Sequence, residues 1–152
     1  MTQTIPGGCY CGKIRYEVAL DNPDEQARTS ICHCKNSGEH GITTKIPKSS
    51  FKVIEGKDFV TVHEADNRTG VILHREFCKE CGGPILEYGA NAGDFVYVFY
   101  GSFDHPTTLP PKGEFFTSKR DSWMPEVPDR FNFKIRPRST LPSLFQKKEV
   151  KQ

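Results

Sequence analysis

A chain of 152 residues, 36% hydrophobic and 26% charged, is long enough for one domain with a sizeable core. Its net charge of +2 is too small to argue for nucleic acid or an anionic membrane as partner. The opening residues MTQTIPGG carry neither the basic nor the apolar region expected of a secretory signal, and no apolar run approaches the roughly 20 residues of a membrane span. The expected compartment is therefore the cytoplasm, with the nucleus also open, where disulfides do not persist.

In chain order, residues 13–20 (KIRYEVAL) alternate Ile14, Tyr16, Val18 and Leu20 against mostly polar neighbours, which predicts a half-buried strand. Residues 21–26 predict a loop, and 28–32 a short strand running into a cysteine pair. Residues 50–55 and 59–64 predict two further strands, and 66–70 (DNRTG) a hairpin tip. Strands are predicted at 71–77, 84–88 and 95–100; the last, FVYVFY, reads as a central strand buried on both faces. Residues 131–135 predict a last strand or an extended arm. No stretch carries a sustained helical period. The expectation is one mainly β domain over residues 1–135, with a polar, frayed tail over 136–152.

The six cysteines form three short pairs: Cys9 with Cys11, Cys32 with Cys34, and Cys78 with Cys81. Clustered cysteines in a reduced chain point to a metal rather than to bridges. We further expect a Cys-X-Cys pair to place its side chains on opposite sides of an extended strand, where a bridge would strain. The outer pairs read as two zinc knuckles. Gly12, Gly82 and Gly83 allow tight turns that aim backbone N–H groups at sulfur. A four-thiolate zinc is closed and structural. Cys32-His33-Cys34 is then left for chemistry: with one more ligand, such a centre keeps a position open for a thiol or a carbonyl.

Gly8-Cys9-Tyr10-Cys11-Gly12, Cys32-His33-Cys34, Phe77-Cys78-Lys79-Glu80-Cys81-Gly82 and Tyr100-Gly101-Ser102-Phe103-Asp104 occur in an order that resembles the glutathione-dependent formaldehyde-activating enzyme family, also called the CENP-V/GFA domain. Ser122-Trp123-Met124 with Val127-Pro128 resembles its closing segment. The resemblance covers residues 7–133. It implies a β-tent of stacked short antiparallel sheets, stapled by a structural zinc at Cys9, Cys11, Cys78 and Cys81. It implies a second, catalytic zinc at Cys32 and Cys34. It also implies carbon–sulfur lyase chemistry on adducts of glutathione, or another small thiol, with an aldehyde, as in S-hydroxymethylglutathione. Aldehyde detoxification or a step in secondary metabolism would both fit.

The sequence departs from the family at Ser37, where the family motif places a third cysteine. A serine hydroxyl is a far poorer zinc ligand than a thiolate. A water, Ser37, His33, Glu39 or His40 completes the site, or zinc binds only together with a thiol substrate. Otherwise the chain is a catalytically impaired, zinc-stapled β module that binds a ligand or a protein partner.

Of the other candidates, His33 is expected to turn away from the metal and to support it from behind. Lys35, Lys45 and Lys48 are weighed as a patch for carboxylates against a solvated loop. Tyr97, Phe99 and Tyr100 are expected in the core. Trp123 is expected to wall a pocket or cap the core. Asp104 is expected to stabilise its turn. His63, His74 and His105 are read as packing or surface residues.

Overall fold

A computed structural model describes residues 1–35, 41–127 and 131–133 of the chain. The strands are β1 Gln3–Gly8, β2 Arg15–Leu20, β3 Arg28–Cys32, β4 Gly41–Pro47, β5 Phe51–Glu55 and β6 Val60–Asp66. They continue as β7 Ile72–Cys78, β8 Pro84–Gly89, β9 Phe95–Phe99, β10 Pro111–Phe115 and β11 Phe131–Phe133. One short helix, α1 Pro23–Gln26, lies in the loop expected after β2. Every predicted strand is present, and the chain is mainly β in two sheets.

The small sheet has the order β1-β2-β5, and the large one runs β11-β10-β3-β4-β9-β8-β7-β6. Most pairs are antiparallel. At one end of the large sheet, β10 instead lies parallel to β3, and β11 parallel to β10. Strands β1, β4 and β10 carry no sequence prediction. Each contains proline, glycine or both, which hides a strand from propensity rules.

The small sheet supplies Ile5, Tyr16, Val18 and Leu20 to the core, and the large sheet meets them with Ile46, Ile85, Val96 and Val98. Each side chain of this size taken fully out of water contributes about 1.5–3 kcal/mol. The alternation read in β2 is observed, with Tyr16, Val18 and Leu20 at 0%, 0% and 1% exposure. β9 does sit inside its sheet, between β4 and β8. Only Val96 and Val98 are fully buried there, while Phe95, Tyr97 and Phe99 are half-buried. The expectation of two equally buried faces is thus corrected to one.

Gly7 in β1 pairs with Tyr16 in β2. A Cβ at Gly7 would fall 2.3 Å from the Tyr16 ring and hydroxyl, so glycine lets the phenol pass under β1. The hairpin tip after β6 forms as predicted: the Asp66 carboxylate accepts from the N–H groups of Arg68 and Gly70. Among the described residues, no helix is long and apolar enough to cross a membrane. The tail expected over 136–152 lies outside the described residues.

Candidate metal centre and thiol pair

Two turns of the same design carry the outer cysteines. In the first, which follows β1, the Gly12 N–H donates to the Cys9 carbonyl at 3.0 Å, with Gly12 at φ +78°. In the second, at the end of β7, the Gly82 N–H donates to the Cys78 carbonyl at 2.8 Å, with Gly82 at φ +72°. That left-handed backbone is where glycine is favoured. The turns also aim N–H groups at sulfur, from Ile14 to Cys9 Sγ at 3.2 Å and from Gly83 to Cys81 Sγ at 3.4 Å.

The sulfurs of Cys9, Cys11, Cys78 and Cys81 all lie within 4.8 Å of one another, a group that could hold a metal ion. Two of the separations are 3.5 Å, between Cys9 and Cys11, and 3.8 Å, between Cys11 and Cys78. Four sulfurs each 2.3 Å from a central ion sit about 3.8 Å apart at the corners of a tetrahedron. The donor set therefore fits a zinc-sized thiophilic cation. Gly83 completes the cradle, because a Cβ there would press at 3.2 Å on both Cys81 Sγ and the Tyr10 nitrogen.

The electrostatics of the four thiols agree with this. The backbone N–H groups of Cys11 and Gly83 pull Cys81 down to about 6. Desolvation opposes ionisation of Cys9, yet the Ile14 N–H and the neighbouring thiols leave it below its ordinary value. The Lys13 N–H favours the Cys11 thiolate, but desolvation and the other three cysteines outweigh it and push Cys11 up to about 12. Four thiols this close do not all ionise on their own, and a divalent cation relieves that repulsion.

The middle pair is arranged differently. Cys32 ends β3 and Cys34 follows it, with their sulfurs 2.9 Å apart. The spacing argument placed such side chains on opposite sides of a strand, and this is corrected. Residues two apart in a pleated strand share a face, and neighbours one apart alternate. His33 accordingly turns the other way, into the core, at 3% exposure. Among the described residues, Cys32 and Cys34 belong to no converging group of three or more metal-binding side chains. Ser37, Glu39 and His40, the expected completing ligands, lie outside the described residues.

The sequence reading missed the group behind His33. His33 Nε2 lies 2.9 Å from Glu114 Oε1, with both side chains 1% exposed. Arg120 donates to both Glu114 oxygens, at 3.2 and 3.1 Å, and the Val127 N–H donates at 3.0 Å. Burial works against the Glu114 charge, yet these hydrogen bonds hold its pKa below the ordinary value. No sequence pattern marks a buried carboxylate in the short run Pro111–Phe115.

A cleft of about 600 Å³ opens beside the outer cysteines, lined in part by Cys9, Tyr10, Arg15, Ile42, Phe99 and Ser102. Phe99, on the cleft, pairs with Thr43, two residues from the Gly41 that pairs with Cys32, so Phe99 and Cys32 share one face of the sheet. Asp104, also on the cleft, is expected from sequence to stabilise its turn, but its carboxylate instead takes a two-pronged ion pair from Arg15. Trp123 is 66% exposed and neither caps the core nor lines this cleft. Lys45 is no loop residue; it is 5% exposed in β4, its ammonium 4.1 Å from the Phe95 ring centre. His74 packs as expected, stacked on Tyr88 at 4.8 Å.

The model of the family described as glutathione-dependent formaldehyde-activating enzyme matches residues 4–119. This chain belongs to that family. The match takes in all six cysteines and Glu114, and stops just short of Arg120 and Val127. The crystal structure of a Rhodobacter sphaeroides protein is similar to this GFA-family chain, with 24% identity and a TM-score of 0.51. The likeness covers 66% of this chain and 88% of the other, and it speaks to the fold.

Proposed function

We propose that this GFA-family protein is a zinc-dependent carbon–sulfur lyase acting on adducts of a small thiol, with glutathione the leading candidate, and an aldehyde. Cys9, Cys11, Cys78 and Cys81 would hold a structural zinc, and Cys32 and Cys34 a second one. The observation that carries the reading is the convergence of the Cys32 and Cys34 thiols, 2.9 Å apart, outside the closed outer set. Two sulfurs leave a tetrahedral ion short of ligands, which suits exchange with an incoming thiol. They sit closer than a tetrahedral edge, so they would part slightly on chelation.

Zinc, when bound there, would lower the pKa of a thiol and polarise a carbonyl. In the adding direction, the thiol sulfur bonds to the aldehyde carbon and its proton ends on the carbonyl oxygen; the reverse breaks the same bond. Cys32 and Cys34 would anchor the centre beside the cleft, whose size falls within the roughly 300–1,000 Å³ usual for small-molecule sites. Phe99, on the same sheet face as Cys32, would exclude water from one side of a bound adduct. The reading places the protein in the cytoplasm, with small molecules rather than nucleic acid as partners.

Ser37 keeps a second reading open, that of an impaired, zinc-stapled β module that binds a ligand or protein. Metal stoichiometry with and without glutathione separates the two. The enzyme reading expects about two zinc ions per chain, at least with glutathione present, falling to about one in Cys34→Ala. About one ion in every condition, unchanged by Cys34→Ala, would overturn it in favour of the second.

A further inference from the structure

We propose that Glu114 is a positioning residue for the Cys32/Cys34 thiol pair and acts through His33. This rests on the reading that the pair is the reactive centre. The argument starts from the hydrogen bonds of a single residue. The His33 N–H donates to the Phe115 carbonyl at 3.1 Å, which extends the pairing of β3 with β10 by one residue. The His33 side chain is tied to Glu114, the residue before Phe115. One residue is thus fixed by backbone and by ring to two consecutive residues of β10.

Among the described residues the ring has no second hydrogen-bond partner. His33 Nδ1 is buried with no hydrogen-bond partner among the described residues. Nε2 lies 2.9 Å from the Glu114 carboxylate, and this hydrogen bond orients the ring. Among the described residues, Glu114 is thus the hydrogen-bond partner that orients the ring. Glu114 is itself held: His33 Nε2, Arg120 Nε, Arg120 Nη2 and the Val127 N–H fill the roughly four acceptor positions of a carboxylate.

The consequence for the thiols follows from alternation. With His33 pinned inward, the residues on either side of it point outward together. Cys34 lies beyond the end of β3, so the hold on His33, by its N–H and by its ring, is what carries the strand's alternation past Cys32. His33 need not touch a metal to have this effect, and it converges with no group of ligands among the described residues.

Phenylarsine oxide tests this without a metal at the pair. Its trivalent arsenic bridges two adjacent thiols and releases water, so its affinity reports their convergence. The full chain would be loaded with one equivalent of zinc and titrated, with adducts counted by intact mass. The wild type should take one arsenical, and Cys34→Ala none. Glu114→Ala should weaken binding roughly tenfold, the effect of one buried hydrogen bond. Glu114→Gln keeps an acceptor for Nε2 and should recover most of that loss. A folded Glu114→Ala variant that binds the arsenical as the wild type does, whatever its melting temperature, overturns the proposal. If Glu114→Ala does not fold, Arg120→Met takes its place; it should weaken binding a fewfold, and unchanged affinity overturns the proposal. A wild type that binds the arsenical but takes no second zinc, with or without glutathione, defeats the proposed function and leaves this positioning role standing. A second zinc with an arsenical affinity insensitive to Glu114 does the reverse.

Discussion

Replacing Tyr16 by phenylalanine removes one oxygen from the middle of the core, and the structure sets what that costs. The Tyr16 hydroxyl lies 2.7 Å from Ser102 Oγ, and Ser102 spends its own proton on the Phe99 carbonyl at 2.7 Å. Tyr16 must therefore be the donor in the first of these bonds. Burial also pushes its phenol pKa well up, so it stays protonated. Tyr16→Phe deletes a donor and leaves Ser102 Oγ short of one bond, a loss of about 1 kcal/mol. The ring contacts with Phe51 and Phe103, at 4.8 and 5.9 Å between centres, survive. For a fold of this size, 1 kcal/mol corresponds to about 4 °C in melting temperature. Tyr16→Ala also loses the ring and leaves a cavity, for about 3–5 kcal/mol and a fall of about 12–20 °C. Circular dichroism melts of both variants give the comparison. Ser102→Ala, alone and combined with Tyr16→Phe, supplies a double-mutant cycle with a coupling of about 0.5–1 kcal/mol. A Tyr16→Phe melt equal to wild type, or a cycle that adds with no coupling, would show that the bond does not hold the cleft wall to β2.

Cys78 is fully buried among the outer thiols, so Cys78→Ser should abolish the cooperative melt and the first metal equivalent together; a near-native melt in that variant would refute the staple. Asp104 tests acid stability. The Arg15 guanidinium holds its carboxyl below the ordinary value of 3.8, so folding favours the ionised form. The stability it supplies is complete above that value and is lost as the pH falls through the lower folded value. The pair is about one-third exposed, so Asp104→Asn should cost less than about 1 kcal/mol at pH 6, should flatten the fall in melting temperature below pH 4, and should matter less in high salt. Identical acid slopes in the two proteins would refute the assignment.

Legibility in the sequence followed local chemistry. β2 was readable because four apolar residues alternate without interruption, and the knuckles because cysteine and glycine at short spacing have few other uses. β1 was hidden by Pro6, Gly7 and Gly8, whose reason lies in the Tyr16 ring passing beneath them rather than in their own stretch. β4 was hidden by Gly41 and Pro47 at its ends; inside the sheet, its Thr44 and Thr29 of β3 satisfy each other at 2.8 Å. The outer cluster could be assembled from sequence, whereas Glu114 could not. It is an ordinary charged residue until a histidine 81 positions earlier and an arginine six positions later close around it.

The ties that define this molecule share a direction in time. Cys11 waits for Cys78 across 67 positions, His33 for Glu114 across 81, Tyr16 for Ser102 across 86 and Arg15 for Asp104 across 89. At a synthesis rate of about 5–20 residues per second, Cys32 and Cys34 spend roughly 4–16 seconds on the ribosome before the residues that shape them exist. A product cut short near residue 110 would retain every cysteine and no Glu114, and so could gather the four outer thiols without the carboxylate that meets His33. Six cysteines in such a fragment would count as intact in any thiol assay, while the geometry that sets two of them apart had not yet been made.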